Sequence, residues 1–268
     1  MSEREDYPSG VPCWVDTGQP DVDQALEFYG AVFGWGFAGP GPMPGDPPGR
    51  YFVARMAGKD VAGISTRAAD TPTVWNTYVS VSSAETAAQS AVEHGGAVLV
   101  APFDAPPAGR AAVLADPAGA VICAWEPGDR QGAQRINEPS AWSMSRLNSS
   151  DADGARSFYG AVFGWKSETF AMGEQVGTLF RVPGYVGGEP SQPVPRDSVA
   201  VMMDAEPGAP AYWSVDFWID DADAAVQRAV AAGGSALAEP FDIPMFRTAV
   251  LQDPQGATFT ISQLMLPA

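Results

Sequence analysis

The sequence predicts an α+β fold made of two similar domains in tandem, and three observations support this. The eight residues Phe28–Trp35 (FYGAVFGW) recur unchanged at Phe158–Trp165, an offset of 130. Further matches follow in the same order, such as Asp116–Ala120 (DPAGA) with Asp253–Ala257 (DPQGA). Each half also alternates strand patterns with helix patterns. Ordered matches of this kind indicate a tandem duplication, and helices segregated from largely antiparallel strands are typical of α+β folds.

The elements of the first half follow in order. We predict a strand over 11–17 and then a helix over 21–33, because its apolar residues fall on one helical face and Gly34 ends it. A second helix is predicted over 84–94, ended by Gly95-Gly96. Further strands are predicted over 50–56, 60–66, 75–81, 110–115 and 120–125. The segment 39–49 is too rich in Pro and Gly for a regular element, so we expect a loop there, with a counterpart around 183–195.

The domain boundaries follow from composition and from the repeat. We predict one domain over 9–126, a polar and turn-rich linker over 127–140, and a second domain over 141–266. The chain has 268 residues, of which 46% are hydrophobic and 18% charged. This composition indicates two globular domains and excludes a disordered chain.

The charge balance excludes some partners. The formal net charge is −17, which repels nucleic acid and anionic membrane surfaces. No apolar run is long enough to span a membrane, and the polar N-terminus shows no secretory signal. We therefore expect a cytoplasmic protein with reduced cysteines. The two cysteines form no disulfide framework, and the single histidine, His94, excludes His-rich metal sites.

The motifs also resemble a known family. An Asp before Phe-Tyr-x₄-Gly-Trp, a Gly-Gly after the second helix and Asp-Pro-x-Gly near the end, all in duplicate, resemble the vicinal oxygen chelate fold. This is the superfamily of glyoxalases, bleomycin-resistance proteins and extradiol dioxygenases. The resemblance implies two βαβββ modules per domain, which form a half-open barrel. In metal-dependent members, His, Glu or Gln side chains at four positions hold a divalent ion.

The resemblance also locates these four positions in each half. They fall on Trp14, Gly63, Trp75 and Cys123 in the first half, and on Met144, Gly187, Trp213 and Thr260 in the second. None of these residues is an oxygen or nitrogen ligand of the expected kind, and a mononuclear site needs three or four converging donors. We therefore predict that the protein binds no metal, and no nucleotide or flavin cofactor, since no Gly-rich phosphate loop follows a strand.

Aromatic residues at these positions predict a cavity that binds a flat or hydrophobic organic molecule. The predicted ligand-binding residues are Trp14, Trp75, Cys123, Trp125, Met144, Trp213, Thr260 and Ser262. The alternative is that the tryptophans fill the barrel and leave no cavity. Asp16 and Arg146 each lie two residues after a mapped position, so their side chains point to the same side of the strand. They are the candidate catalytic residues, although an anchoring or rim role is the alternative.

Other charged residues have local explanations. Arg110 and Arg247 are expected to pair with Asp104 and Asp242, and Asp116 and Asp253 to stabilise their own turns.

These expectations give one leading function and one alternative. The leading hypothesis is a metal-independent protein that binds a small hydrophobic or aromatic molecule, for example to sequester an antibiotic or other secondary metabolite. The alternative is a metal-free acid–base enzyme, such as an isomerase, cyclase or lyase. A third possibility is that one half binds ligand while the other is architectural. The expected partner is a small molecule, and the chain is expected to be a monomer with an internal pseudo-dimer, or a homodimer.

Overall fold

The computed structural model describes residues 3–43, 48–67, 71–172, 175–187, 194–206 and 208–265. In the first half, the order of elements is β1 (Pro12–Gln19), α1 (Val22–Phe33), β2 (Gly36–Met43), β3 (Gly49–Met56), β4 (Lys59–Thr66), β5 (Trp75–Ser80), α2 (Ala84–Glu93), β6 (Ala97–Ala105), β7 (Gly109–Ala115) and β8 (Val121–Pro127). The second half repeats it as β9 (Trp142–Ser149), α3 (Ala152–Phe163), β10 (Lys166–Met172), β11 (Gln175–Arg181), β12 (Ser198–Asp204), β13 (Tyr212–Trp218), α4 (Ala222–Ala231), β14 (Ser235–Ile243), β15 (Phe246–Gln252) and β16 (Thr258–Leu264).

Each half forms its own open eight-stranded sheet, which confirms the predicted fold class and its βαβββ modules. The strand order is β2-β3-β4-β1-β5-β8-β7-β6 in the first sheet and β10-β11-β12-β9-β13-β16-β15-β14 in the second. The two modules of a sheet meet where β1 pairs with β5 antiparallel, while β1–β4 and β5–β8 are parallel. No helix in the described ranges is long and apolar enough to cross a membrane.

Two strands were missed by the sequence analysis. The predicted loop over 39–49 is wrong in part, because β2 covers 36–43 and pairs with β3. Pro is tolerated there because β2 is an edge strand, where an absent N–H breaks no second ladder. Strand β6 was not assigned because its mostly exposed residues show no alternating pattern. Residues 44–47 of the first predicted loop and 188–193 of its counterpart lie outside the described residues.

The two faces of each sheet have different environments. We call the side carrying Trp14 and Asp16 of β1, and Met144 and Arg146 of β9, the front face. The opposite side is the back face, and Val15 and Thr17 on it are completely buried. The back faces of the two sheets meet where the hydroxyls of Thr77 and Ser145 lie 2.7 Å apart. The helices flank this contact and complete a core shared by both domains.

The repeated segment FYGAVFGW contributes its aromatic side chains to the shared core. Helix α1 begins after Asp21, whose carboxylate accepts the backbone N–H groups of residues 23 and 24, and it ends at the left-handed residue Gly34. From this helix, Phe28 and Phe33 pack against the second domain's Phe259 and Phe217, with ring centroids 6.3 Å and 4.9 Å apart. The apolar face of this helix therefore packs in the core and also joins the two halves.

Two buried hydrogen bonds between the domains add to this packing. The Tyr29 hydroxyl donates to Asp253 over 2.8 Å, and the Tyr159 hydroxyl donates to Asp116 over 2.9 Å. Both aspartates also hold their own turns, as predicted, by accepting backbone N–H groups. The expectation that their role is only local is therefore wrong. The predicted surface pairs Arg110–Asp104 and Arg247–Asp242 are present.

Candidate functional site

The front face of the second sheet carries a cavity of about 500 Å³. This volume lies within the range of about 300–1,000 Å³ that is usual for small-molecule sites. Most of its wall is apolar, and it includes Met144, Phe170, Leu179, Val201, Trp218 and Phe246. The polar groups among the lining residues include Ser143, Arg146, Asp216 and Ser262.

Asp216 is the carboxylate at the polar end of this cavity. The Ser262 hydroxyl donates to its Oδ1 over 2.7 Å, and the Ser143 hydroxyl donates to its Oδ2 over 2.9 Å. Burial raises the pKa of Asp216, while the Ser262 hydrogen bond, the Arg146 charge and the Ser143 hydrogen bond oppose the rise. A carboxyl group with a raised pKa in a cavity can hold a proton or release one to a bound molecule.

Arg146 supplies a positive charge to the same wall. It lies on β9 opposite Ser214 of β13, two residues from the lining residue Met144. Within the part of the chain that the structure describes, no side chain forms a hydrogen bond or ion pair with its guanidinium. Among the described residues, three other lining residues have a buried polar atom without a hydrogen-bond partner: the indole Nε1 of Trp142, the Nε of Arg181 and the hydroxyl Oγ of Ser198. The cavity wall therefore has unused hydrogen-bonding capacity.

The corresponding space in the first domain is filled by aromatic side chains. Equivalent positions follow from strand pairing. In the first sheet, Asp16 pairs with Gly63 and Asn76. In the second sheet, Arg146 pairs with Val201 and Ser214, so these three residues are the equivalents of the first three. With this register, four large residues of the first domain correspond to smaller ones in the second. They are Trp14, Tyr51, Tyr78 and Trp125, which correspond to Met144, Gly177, Asp216 and Ser262.

The filled front face of the first domain encloses Asp16. Its carboxylate accepts hydrogen bonds from the Tyr51 hydroxyl over 3.2 Å, the Tyr78 hydroxyl over 3.0 Å and the Asn76 amide over 3.0 Å. Gly63 makes this possible, because a Cβ atom there would collide with the Tyr51 hydroxyl and lie 2.9 Å from the Asp16 Cβ. Asp16 is 6% exposed, so its position favours a structural role over contact with a substrate.

An insertion adds a wall to the cavity of the second domain. In the first domain, β3 and β4 are joined by the two residues Ala57 and Gly58, whereas 182–197 join β11 and β12. Tyr185, Pro195 and Arg196 of this longer connection line the cavity. The described part of this longer connection therefore forms one wall of the cavity.

The structure divides the predicted site residues between the two domains. Met144, Arg146 and Ser262 line the cavity. Thr260 lies on the same front face but is not among the lining residues, while Trp14, Asp16, Cys123 and Trp125 lie on the front face of the first domain. The predicted set is therefore not one site.

Trp75 and Trp213 do not lie on the front faces at all. Their indole N–H groups donate on the back-face side, to the Tyr29 hydroxyl over 3.0 Å and the Tyr159 hydroxyl over 2.8 Å. Asn76 and Ser214, one residue further along, take the front-face positions, because a shift of one residue moves a side chain to the other face of a strand. The position that was mapped to Gly187 is occupied by Val201 instead. Val201 lies in register with Arg146, as Gly63 lies in register with Asp16.

Asp216 and Ser143, the partners at the polar end, were not predicted from the sequence. A signal for Asp216 was present, because Gly95-Gly96 and Gly233-Gly234 give a repeat offset of 138, which makes Asp216 the equivalent of Tyr78. Ser143 had no comparable signal, since it lies beside the irregular pairing of β9 and β13 between Asp216 and Phe217.

Comparison with known proteins identifies the family. The profile of the Glyoxalase/Bleomycin resistance protein/Dioxygenase superfamily matches residues 15–124, and that of a Glyoxalase-like domain matches 145–262. A Mycobacterium bovis protein named "Putative glyoxylase CFP32" is 37% identical over 97% of this chain and 97% of its own length. The chain belongs to this glyoxalase/dioxygenase superfamily. The predicted resemblance is thereby confirmed.

Other members of the superfamily share the sequence or the fold over nearly the whole chain. The anthracycline biosynthesis protein DnrV of Streptomyces peucetius is 31% identical over 96% of this chain and 94% of its own. The Mn(II)-bound glyoxalase from Novosphingobium aromaticivorans has a TM-score of 0.64 at 16% identity, over 99% of this chain and 84% of that one. The 2,3-dioxygenase LapB from Pseudomonas sp. KL28 has a TM-score of 0.62 at 13% identity, over 97% and 95%.

The residues that the structure describes do not fit the divalent ion that metal-dependent members of the superfamily hold. A mononuclear site needs three or four His or carboxylate donors at about 2.0–2.2 Å. Across the described ranges, no three His, Cys, Asp or Glu side chains come together in this way. The front-face carboxylates, Asp16 and Asp216, accept hydrogen bonds from three and two side chains, and the charge of Arg146 next to Asp216 would repel a cation.

The buried position of Asp16 leads to a pH-dependence prediction. Burial raises its pKa, and hydrogen bonds from Asn76, Tyr78 and Tyr51 only partly oppose the rise. Because the pKa is higher in the folded state, the stability contribution of the protonated carboxyl is complete below about pH 4 and is lost as pH rises through the folded-state pKa. Asp16→Asn, which does not titrate, should therefore gain in Tm relative to the wild type as pH rises from about 4 to 8.

Thermal unfolding followed by circular dichroism at each pH measures this difference. Asp104→Asn is a suitable control, because it removes a negative charge from the surface, where the side chain of Asp104 is 71% exposed. A Tm difference between Asp16→Asn and wild type that stays constant over the whole range would contradict the prediction.

Proposed function

We propose that the cavity of the second domain binds one small, largely apolar aromatic molecule per chain, without a catalytic metal. The observation that carries this proposal is the replacement of aromatic residues by smaller ones. Where the first domain has Tyr51, Tyr78 and Trp125, the second has Gly177, Asp216 and Ser262. Apolar and aromatic walls with a few polar groups suit a planar organic ligand, which they bind through burial of its surface and ring contacts.

The names of two relatives favour a particular ligand class. DnrV and a second Streptomyces protein, DauV, are both named as anthracycline biosynthesis proteins, and both are 31% identical to this chain over 96% of its length. Anthracyclines are built on a planar, fused-ring quinone. We therefore propose that the ligand is a planar aromatic secondary metabolite and that this protein sequesters it. The first domain is architectural in this proposal, and the chain is a monomer or a homodimer.

Binding of a planar quinone in the absence of metal tests this proposal. After dialysis against a chelator and verification by elemental analysis, the protein is tested by equilibrium dialysis against 9,10-anthraquinone-2-carboxamide, a neutral tricyclic probe. We expect saturable binding of one probe per chain, with a Kd in the micromolar range or below. Absence of binding by this probe and by a panel of bicyclic quinones would contradict the proposal, as would binding that depends on restored Zn, Mn, Ni or Fe.

A metal-free acid–base enzyme is a second candidate function, and the position of Asp216 favours it. Its carboxyl group lines the cavity close to the charge of Arg146, and burial raises its pKa. A carboxyl group of this kind can act as a general acid or a general base toward a bound molecule. The distinguishing variant is Asp216→Asn: an enzyme would still bind the molecule but would lose its turnover, whereas a binding protein shows no turnover in either form.

A further inference from the structure

We infer that the bound aromatic molecule carries an oxyanion, either a carboxylate or an ionised phenol, and that Arg146 binds this group. The inference rests on the proposed function, since it concerns the same cavity. It adds the chemical feature that separates the ligand from neutral aromatic molecules of the same shape.

The cavity wall has hydrogen-bond donors without partners, whereas its described carboxylate acceptors already have partners. Arg146 has five N–H donors and cannot act as an acceptor, and no described side chain pairs with them. The two carboxylates that the structure describes in the wall are already in use: Glu168 forms an ion pair with Arg181, and Asp216 accepts two serine hydroxyls. The wall thus has unused donors and few free acceptors, so it favours a ligand that accepts hydrogen bonds.

Arg146 must also keep a partner for its charge when a ligand enters. Arginine stays protonated in proteins, and a partly exposed guanidinium can rely on water until the ligand displaces that water. A neutral aromatic ligand that covered Arg146 would leave the charge without compensation, which is costly. A ligand oxyanion would replace the water and form charge-assisted hydrogen bonds, which are about twice as strong as neutral ones.

Asp216 does not compensate the charge of Arg146 in place of a ligand oxyanion. Both of its carboxylate oxygens accept serine hydroxyls, from Ser262 and Ser143, and it has no ion pair with Arg146 among the described residues. Burial also raises its pKa, which makes this carboxyl group easier to protonate than an exposed one. The overall charge of −17 disfavours the binding of anions elsewhere on the surface. Measured binding of an anionic probe should therefore reflect binding in this cavity.

Matched pairs of probes test the inference. The first pair is 9,10-anthraquinone-2-carboxylate and its neutral carboxamide. The second pair is 2-hydroxy-1,4-naphthoquinone, whose acidic enol hydroxyl ionises to an oxyanion as an acidic phenol does, and its neutral methyl ether. We expect wild-type protein to bind the anionic member of at least one pair about tenfold more tightly or better. The pair that shows the preference identifies which oxyanion the cavity accepts.

Variants of Arg146 locate the preference. Arg146→Gln should abolish the preference for the anion and change the affinity for the carboxamide less than about threefold, whereas Arg146→Lys should retain part of it. Arg130→Gln is the matched control, because Arg130 lies 5.3 Å from the Trp14 ring in the first domain and should leave both affinities unchanged. If Arg146→Gln does not fold, the ratio of the wild-type affinities still decides.

The possible outcomes separate the inference from the proposed function. If no probe of either pair binds, the proposed function fails and the inference fails with it. If the anionic and neutral probes bind equally well to the wild type, or the preference survives in Arg146→Gln, the inference is overturned while the proposed function stands.

Discussion

Replacement of Asp253 by alanine is expected to lower the free energy of unfolding by about 4 kcal/mol, since each buried donor left without an acceptor costs about 1–3 kcal/mol. Asp253 is 4% exposed. Its carboxylate accepts the Tyr29 hydroxyl over 2.8 Å, the Gln19 amide over 2.7 Å and the backbone N–H groups of residues 255 and 257. The variant removes the acceptor of all four donors at the contact between the domains. Urea denaturation followed by tryptophan fluorescence measures the loss.

Two control variants separate the interdomain bond from the local turn. Tyr29→Phe removes one of the four donors and leaves the buried Trp75 indole N–H without its acceptor, so it should cost about 2 kcal/mol. Asp104→Ala, on the surface, should change the stability by no more than about 0.5 kcal/mol. If Asp253→Ala is no less stable than Tyr29→Phe, Asp253 is not the shared acceptor described above.

Replacement of Ser262 by tryptophan is expected to weaken binding of 9,10-anthraquinone-2-carboxamide at least about a hundredfold. The substitution restores in the second domain the indole that Trp125 provides at the equivalent position of the first, and it places that indole in the cavity. Because the ligand and the new side chain cannot share one volume, binding would require the indole to move out of a close-packed wall. Equilibrium dialysis with the neutral probe measures the effect.

The control for this variant is Ser262→Ala, which removes the hydrogen bond to Asp216 but leaves the cavity open. It should change the affinity for the neutral probe less than about threefold, because the hydroxyl contacts Asp216 and contributes little apolar surface. Both variants require a check of Tm. A folded Ser262→Trp protein that binds the probe as the wild type does would show that the ligand lies elsewhere.

Most of the fold could be predicted from the sequence because the repeat marks equivalent elements twice. The identical FYGAVFGW segments and the Asp-Pro turns fix the order of helices and strands in both halves. Strand β2 was missed because its Pro and Gly residues are typical of loops, and only its pairing with β3 at the edge of the sheet explains the strand. Long-range pairing of this kind leaves no local pattern.

The candidate site was harder to predict, for a geometric reason. A count that was wrong by one residue placed Trp75 and Trp213 in the cavity, although their indoles donate to Tyr29 and Tyr159 on the other side of the sheet. The correspondence of Tyr51 with Gly177 also required the strand register, because the connections around β3 and β11 differ in length. The front-face positions of Met144, Arg146 and Ser262 followed from the motifs because no insertion intervenes.

The exchanged tyrosine–aspartate bonds have a consequence for how the two halves can diverge. Tyr29 reaches the turn of the second half as Tyr159 reaches that of the first, which is the pattern that a two-fold symmetric pair of identical subunits would show. In such a pair, every substitution that widens one front face widens the other as well. A single polypeptide removes this restriction. One domain can keep a filled front face and support the shared core, while the other domain gains a cavity and selectivity for a ligand.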